Sequence, residues 1–211
     1  MFIFIKKIPS KAQVANIKIL VFVICLIPLF HLVWLGIQSH LGANPIEFIE
    51  HSTGFWALFI LLATLTLTPI RLWTGRVWQV QLRRMLGLFM FFYASLHVIT
   101  YVWLDFSFDW VAITKDVAKH PRILFGFVAF VLTIPLAITS NNAMIKRLKS
   151  GWKTLHQMVY VIAILAVVHF WWLVKKDIRE PLFYAVVLAL LLGTRIYFKY
   201  IKTKVIKPKL I

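Results

Sequence analysis

Residues 82–101, LRRMLGLFMFFYASLHVITY, decide the fold: two arginines precede a mostly apolar run with one histidine, His97, near its far end. A second mostly apolar run occupies 155–174, LHQMVYVIAILAVVHFWWLV, and it also has a histidine, His169, near its far end. Each run has the length, roughly 20 residues, that an α-helix needs to cross about 30 Å of hydrocarbon. We therefore expect both runs to be membrane-spanning helices.

The composition extends this expectation to the whole chain. Of its 211 residues 61% are hydrophobic and 15% are charged, and the mean hydropathy is +0.84. Soluble domains are about half apolar and about a quarter charged, so an ordinary soluble fold is excluded. We predict an all-α membrane bundle of six helices that forms one domain over 1–211. The spans are expected at 14–37, 54–70, 84–104, 121–138, 155–174 and 181–198.

The charged residues sort by side of the membrane. Most of the 24 basic residues lie at the two ends of the chain and in the connections that share their side, whereas all seven acidic residues lie on the other side. By the positive-inside rule, both termini are expected in the cytoplasm, with the protein in a bacterial inner membrane. The net charge of +17 is thus a topology signal, and we expect no nucleic-acid partner. The first apolar run is too long for a signal peptide, so we expect it to be retained.

No carboxylate is expected inside a span. Ion- and proton-coupled transporters usually carry Asp or Glu within the membrane, so the pattern argues against a coupled transporter. Several other polar features have ordinary interpretations. Cys25 is expected only to pack, His31 to hydrogen-bond a carbonyl or a neighbouring helix, and Pro28 to be tolerated because neighbouring helices satisfy the freed backbone groups. Tryptophans near the span ends are expected to form an interfacial belt.

His97 and His169 lie in the outer halves of two different predicted spans. Two imidazoles at one depth can bind a haem iron from its two faces, and bundles build cofactor sites from side chains on facing helices. A buried histidine is nevertheless more often a hydrogen-bonded polar group than a ligand. The residues alone therefore leave both interpretations open.

A second redox site is a separate prediction. His156 lies 13 residues before His169, which on an ideal helix is roughly 20 Å along the axis and about 140° around it. The matching positions before His97 are Arg84 and Arg83. These arginines can bind haem propionates or a flavin phosphate, although most arginines at a membrane surface only set topology and contact lipid.

Three stretches resemble one known family. They are 41–58 (LGANPIEFIEHSTGFWAL), 82–101 and 139–169 (TSNNAMIKRLKSGWKTLHQMVYVIAILAVVH). The most specific feature is the W-x-x-x-H motif of Trp152 and His156, which His169 follows. The similarity covers nearly the whole chain and is to the MsrQ (YedZ) family, within the ferric-reductase-like transmembrane group.

The resemblance implies a b-type haem subunit that takes electrons from quinol and passes them outward to MsrP, a periplasmic molybdopterin enzyme that reduces methionine sulfoxide. It implies haem ligation by His97, His169 and His156, with one haem or two, and an FMN cofactor. His51 also matches the family pattern, with its role left open. The sulfoxide chemistry is then expected on the partner, which would meet the acidic outer connections at 38–53, 105–120 and 175–180.

Two alternatives stay open on the sequence. The first is a stand-alone transmembrane ferric or flavin-linked reductase. It is expected to carry an NAD(P)H–flavin domain, and we expect none after the last span. The second, from a different class, is a haem-free carrier or assembly protein.

Overall fold

The structure is a computed structural model that describes residues 9–174 and 177–201. Lys6, Lys7 and the basic residues after 201, which contribute to the predicted topology, lie outside these ranges, as do residues 175 and 176 of the third outer connection. The described residues contain α-helices and no strand. The α-helices are α1 (Lys11–Ile37), α2 (Pro45–Thr74), α3 (Arg83–Ile99), α4 (Trp110–Lys119), α5 (Pro121–Ile138), α6 (Asn142–Leu148), α7 (Ser150–His156), α8 (Val159–Leu173) and α9 (Arg179–Ile196). A 3-10 turn (Trp78–Leu82) precedes α3, and π-helical turns follow α3 (Thr100–Asp105) and α9 (Tyr197–Ile201).

Within the described ranges six helical segments are long and apolar enough to cross a membrane, which confirms the predicted number. Their bounds are Lys11–Ile37, Pro45–Thr74, Trp78–Asp105, Pro121–Ile138, Ser150–Leu173 and Arg179–Lys199. The chain is thus a multi-pass membrane protein. We call the end of the bundle that holds the acidic residues the acidic end, and the opposite end the basic end.

The second span begins well before its predicted start at residue 54. Asn44 caps α2, because its side-chain oxygen accepts a hydrogen bond from the Glu47 N–H at 3.3 Å, and Pro45 occupies the first turn, where no donor is needed. Glu47, Glu50 and His51 therefore lie in the first turns of α2 rather than in a loop.

By these bounds Glu47, Asp105 and Glu180 fall in the end turns of spans, so the expectation that no carboxylate lies within a span is wrong, above all for Glu50. Its Oε1 atom is buried and has no hydrogen-bond partner among the described residues. The outer connection expected at 105–120 is likewise mostly helical, since it contains α4. In both places a side-chain cap starts the helix, Asn44 before α2 and Asp109 before α4, and these local start signals outweigh the polar composition of the turn that follows.

The helix pairs α2–α3 and α5–α8 form the centre of the bundle. α3 also contacts α5 and so joins the two pairs, α9 packs on α2 and α8, and α1 lies at the periphery against α2 and α3. The interior is apolar, with Leu61, Ile162 and Ala163 among its most buried side chains. The outward face of α1 exposes large apolar side chains, as expected of a surface that contacts lipid.

Pro28 interrupts α1, and Tyr93 of α3 compensates for the interruption. Proline cannot donate a backbone hydrogen bond and displaces the turn before it. The Tyr93 hydroxyl donates to the Cys25 carbonyl oxygen at 2.7 Å and accepts from the Leu29 N–H at 3.2 Å. These two groups would pair with each other in a regular helix. A neighbouring helix thus satisfies the freed groups, as predicted, and the same contacts attach α1 to α3. Cys25 itself is buried in the core.

Replacing Tyr93 by phenylalanine tests this attachment. We expect Tyr93→Phe to lower the free energy of unfolding by about 1–3 kcal/mol, because two backbone groups lose their partner. Thermal unfolding in detergent measures the loss, and hydrogen exchange at 25–29 should become faster. Tyr197→Phe, at a tyrosine that is 50% exposed, is the control. Equal unfolding midpoints for Tyr93→Phe and the wild type would contradict this role.

Candidate functional site

The structure brings His97 and His169 together at the acidic end. His97 lies in the last turn of α3, and His169 lies close to the end of α8. Their ring centres are 6.2 Å apart, and the ring planes are inclined by 70°. The rings of these two residues, which were predicted to lie at one depth, are therefore next to each other.

One backbone carbonyl holds each imidazole. His97 Nδ1 lies 3.0 Å from the Glu50 carbonyl oxygen, and His169 Nδ1 lies 2.6 Å from the Arg122 carbonyl oxygen. A carbonyl oxygen only accepts, so each Nδ1 carries the proton and donates it, and each neutral ring keeps the lone pair of Nε2 free. Histidines that bind a metal commonly show this arrangement, in which the second nitrogen donates to a carbonyl or carboxylate.

The donor set suits a haem iron. An imidazole nitrogen lies about 2 Å from a bound metal ion, with its ring centre about 1 Å further, so two imidazoles on opposite faces of one ion have centres roughly 6 Å apart. The observed 6.2 Å fits this spacing. No group of three or more His, Cys, Asp or Glu side chains converges within the described ranges. Two axial imidazoles are sufficient for haem, whose porphyrin supplies the remaining ligands.

Each imidazole also lies against a glycine, which the sequence analysis missed. Gly54 lies one turn after Glu50 in α2, and Gly126 lies one turn after Arg122 in α5. In both cases 47 residues separate the carbonyl acceptor from its histidine. The α2–α3 and α5–α8 pairs thus repeat one arrangement: an acceptor carbonyl, a glycine one turn later and a histidine on the partner helix. The equal spacing of these residues was the signal available in the sequence.

His51 lies beside the paired histidines. It follows Glu50 in α2, and its ring contacts that of Phe170 edge-on with centres 6.4 Å apart. Phe170 is the residue after His169. His51 is exposed, so it lies at the margin of the site.

The structure does not bring another histidine to His156 within the described residues. His156 ends α7, and its Nε2 lies 3.0 Å from Thr139 Oγ1. Trp152 stacks on the His156 ring with centres 4.0 Å apart, and its Nε1 donates to the Thr139 carbonyl oxygen at 2.9 Å. The W-x-x-x-H motif thus attaches α7 to the end of α5. A break at 157–158 separates α7 from α8, so the rotation of about 140° expected for 13 residues of an ideal helix does not apply between His156 and His169.

Arg83 and Arg84 are adjacent in sequence and differ in surroundings. Arg83 Nη2 donates to Thr68 Oγ1 on α2, and the side chain is partly buried. Arg84 is exposed, and its Nη1 donates to Asn142 Oδ1 at the start of α6, at 3.1 Å. Only the first of the two predicted binding residues therefore lies within the bundle.

Arg195 of α9 joins Arg83, which the sequence analysis did not predict. Its Nη2 donates to Thr68 Oγ1 at 3.1 Å and to the Leu65 carbonyl oxygen at 2.5 Å, and its guanidinium carbon lies 5.3 Å from the centre of the Tyr160 ring. We call Arg83, Arg195 and Thr68 the arginine cluster.

Within the described residues the arginine cluster has no counter-charge. All seven acidic residues of the chain lie at the acidic end, and neither arginine forms an ion pair within the described ranges. The Arg195 Nε is buried and lacks a hydrogen-bond partner there. Buried charge without a partner is strongly unfavourable. The cluster is therefore a candidate site for an anionic group.

These observations define a class of protein, a multi-pass membrane helix bundle with paired imidazoles at one end and an unpaired arginine cluster at the other. Comparison with known proteins agrees with this class. Residues 53–167 match the family described as ferric reductase like transmembrane component. No solved structure gives a significant match.

Curated relatives narrow the class. The chain is 54% identical over 157 residues to the "Protein-methionine-sulfoxide reductase heme-binding subunit MsrQ" of Xanthomonas campestris pv. campestris, covering 74% of this chain and 72% of the relative. It is 47% identical over 197 residues to the protein of the same name from Herminiimonas arsenicoxydans, covering 92% and 90%. The chain belongs to the MsrQ family, as the resemblance of its sequence motifs predicted.

Proposed function

We propose that this protein is the b-type haem subunit of a methionine sulfoxide reductase system. In this proposal it takes electrons from the quinone pool and delivers them to a periplasmic molybdopterin partner of the MsrP type. The observation that carries the proposal is the pairing of His97 and His169, each with Nδ1 bonded to a carbonyl and Nε2 free. The relatives' name as heme-binding subunits supports it. We place the protein in the bacterial inner membrane with both termini in the cytoplasm.

His97 and His169 are the proposed axial ligands. When bound, haem supplies a one-electron carrier whose potential depends on its ligands and burial. The residues of the chain position and tune it: the carbonyls of Glu50 and Arg122 orient the two rings and increase the basicity of Nε2. Both rings are partly buried among apolar helices, and burial is one of the factors that set a haem potential.

We propose one haem and leave His156 out of the ligand set. The Nε2 of His156 is engaged by Thr139 Oγ1, and no other imidazole lies beside it in the described residues. At the positions that would supply such a partner from α3, the chain has Arg83 and Arg84. We therefore propose no second haem with paired histidines.

We place the FMN that the resemblance implies at the arginine cluster. A phosphate group would supply the counter-charge that Arg83 and Arg195 lack, and guanidinium groups bind phosphate through charge-assisted hydrogen bonds. When bound, a flavin accepts electron pairs and releases single electrons, which suits a position between quinol and haem. Arg83 precedes His97 by roughly 20 Å of helix, so the two cofactors would lie at opposite ends of the bundle. Arg84, exposed and bonded to Asn142, is assigned to the surface of the bundle.

The acidic end is the proposed contact with the partner. It carries all seven acidic residues and also the exposed aromatic side chains Trp103, Phe108 and Trp110, and interfaces are enriched in aromatic residues. The paired histidines lie at this end, so an electron would leave close to the docked protein. We assign the reduction of methionine sulfoxide to the partner.

Substitution of the histidines tests the ligand assignment. We expect His97→Ala and His169→Ala each to lose most of the bound haem and the low-spin spectrum, because one axial ligand is removed. His156→Ala should retain both. Pyridine haemochrome per protein and the α-band after dithionite reduction measure the outcome, with His40→Ala, at an exposed residue, as the control. Full haem content and an unchanged spectrum in His97→Ala would refute the assignment, and a colourless wild-type protein would refute the haem function.

Substitution of the arginines tests the flavin site. Charged hydrogen bonds are worth about 1.5–3 kcal/mol, so Arg83→Gln and Arg195→Gln should each weaken FMN binding by roughly 10–100-fold. The haem content should not change. Extracted flavin fluorescence, normalised to haem, measures the effect, and Arg84→Gln is the matched control. Wild-type FMN content in both cluster variants would place the flavin elsewhere.

Removal of quinone tests the electron donor. In membranes from cells that cannot make quinone, the rate of haem reduction by the respiratory chain should fall to the background rate, and added quinol should restore it. Absorbance at the reduced α-band follows the reaction. Undiminished reduction without quinone would reject the quinol route and leave the haem assignment intact.

A further inference from the structure

We infer that Gly54 and Gly126 are positioning residues for the paired imidazoles, because the absence of a side chain at each determines where the neighbouring histidine ring lies. This inference rests on the proposed haem function. It concerns the direction in which each Nε2 points, which the hydrogen bond at Nδ1 alone does not determine.

The geometry of an α-helix explains why a glycine follows each acceptor. The carbonyl oxygen of residue i already accepts the N–H of residue i+4, and a second donor must approach its remaining lone pair from the side. That approach passes close to residue i+4. Gly54 is at this position relative to Glu50, and Gly126 is at this position relative to Arg122. A histidine that bonds such a carbonyl therefore occupies the space of the side chain one turn later.

The distances show how little space remains. A β-carbon added at Gly126 would lie 2.8 Å from both Cε1 and Nδ1 of His169 and 3.1 Å from its Cγ. At Gly54 the corresponding distances to Cε1 and Nδ1 of His97 are 3.2 Å. In both cases Nδ1 and Cε1 are the nearest ring atoms and Cγ is only slightly further, so the glycine lies over the ring face beside the Nδ1–Cε1 bond, while the carbonyl binds Nδ1 itself.

The two glycines differ in how closely the neighbouring imidazole approaches them. The contact at Gly126 is closer than real β-carbon contacts reach, and it involves the ring atoms nearest the hydrogen bond, so His169 must move if a methyl group is added. The shorter hydrogen bond is also that of His169, 2.6 Å against 3.0 Å for His97. We therefore expect Gly126→Ala to displace its imidazole more than Gly54→Ala does.

A general packing role is the competing explanation, since small residues allow membrane helices to approach closely. Two other helical glycines separate the two roles. A β-carbon at Gly87 in α3 or at Gly193 in α9 meets nothing within 4 Å. Gly87→Ala and Gly193→Ala add the same methyl group to helices of the same bundle and leave the imidazoles untouched, so they are the matched controls.

The experiment uses the purified haem-loaded protein in detergent. The readouts are haem per protein, the low-spin ferric EPR signal and the haem midpoint potential. We expect Gly126→Ala to weaken haem binding about 10-fold or more, as outer-shell changes commonly do, and to shift the EPR g values of the haem that remains. Gly54→Ala should shift the same signals less. Gly87→Ala and Gly193→Ala should match the wild type.

A second background separates ring displacement from misfolding. In His169→Gly, free imidazole can replace the missing side chain, and because it is not tethered to α8 it can shift away from an added methyl group. The double variant His169→Gly/Gly126→Ala should therefore recover haem with added imidazole nearly as well as His169→Gly does. Recovery confined to His169→Gly would mean that Gly126 acts through helix packing, which overturns the inference.

The remaining outcomes distinguish this inference from the proposed function. Wild-type haem content, EPR signal and potential in Gly126→Ala would overturn the positioning role and leave the haem function intact. Failure of the wild-type protein to bind haem would overturn the proposed function and the inference together.

Discussion

Two hydrogen bonds from imidazole to backbone carbonyl hold the functional site at the acidic end of the four central helices, and the placement of both rings depends on them. His97 bonds the Glu50 carbonyl and His169 bonds the Arg122 carbonyl, so each bond joins two helices of one pair. A backbone carbonyl is a rigid acceptor, because its position is determined by the helix to which it belongs. The imidazole is therefore oriented by α2 or α5, while its own helix supplies only the tether. This division explains why the glycines of α2 and α5 matter to histidines that lie on α3 and α8.

Charge divides the bundle between its two ends. The acidic end holds the paired histidines and every carboxylate, and the basic end holds the arginine cluster. Within the described residues Arg195 has one buried nitrogen without a partner, which is unfavourable in an apolar bundle unless an anion is bound. The same separation of charge sets membrane topology, so one distribution of residues can serve both orientation and cofactor binding. Arg83 and Arg84 differ in this respect, since the first donates to Thr68 within the bundle and the second to Asn142 at its surface, and the proposed function assigns cofactor binding to the first alone.

Tyr93 connects the peripheral helix α1 to the centre of the bundle. α1 contains a proline and contacts few neighbours, yet the Tyr93 hydroxyl bridges the two backbone groups next to the interruption. Tyr93 belongs to α3, four residues before His97, so the helix that carries one of the paired histidines is also the one that anchors α1. α3 thus both anchors α1 and carries His97 of the site.

The sequence by itself determined the number of spans, their order and the shared depth of His97 and His169, and it predicts their sidedness. Hydropathy and charge act residue by residue along the chain, and a helix rises by a constant amount per residue, so position across the membrane can be read from residue number. Rotation about each helix axis cannot be read in this way, because it depends on how neighbouring helices pack. Only the tertiary structure decided that the two rings meet with Nε2 free, that Gly54 and Gly126 adjoin them, and that Arg195 joins Arg83 while His156 bonds Thr139. The early start of α2 combines both kinds of information. Asn44 and Pro45 predict it from the local sequence. Its consequence, the contact between the Glu50 carbonyl and His97, forms only when α2 and α3 pack together.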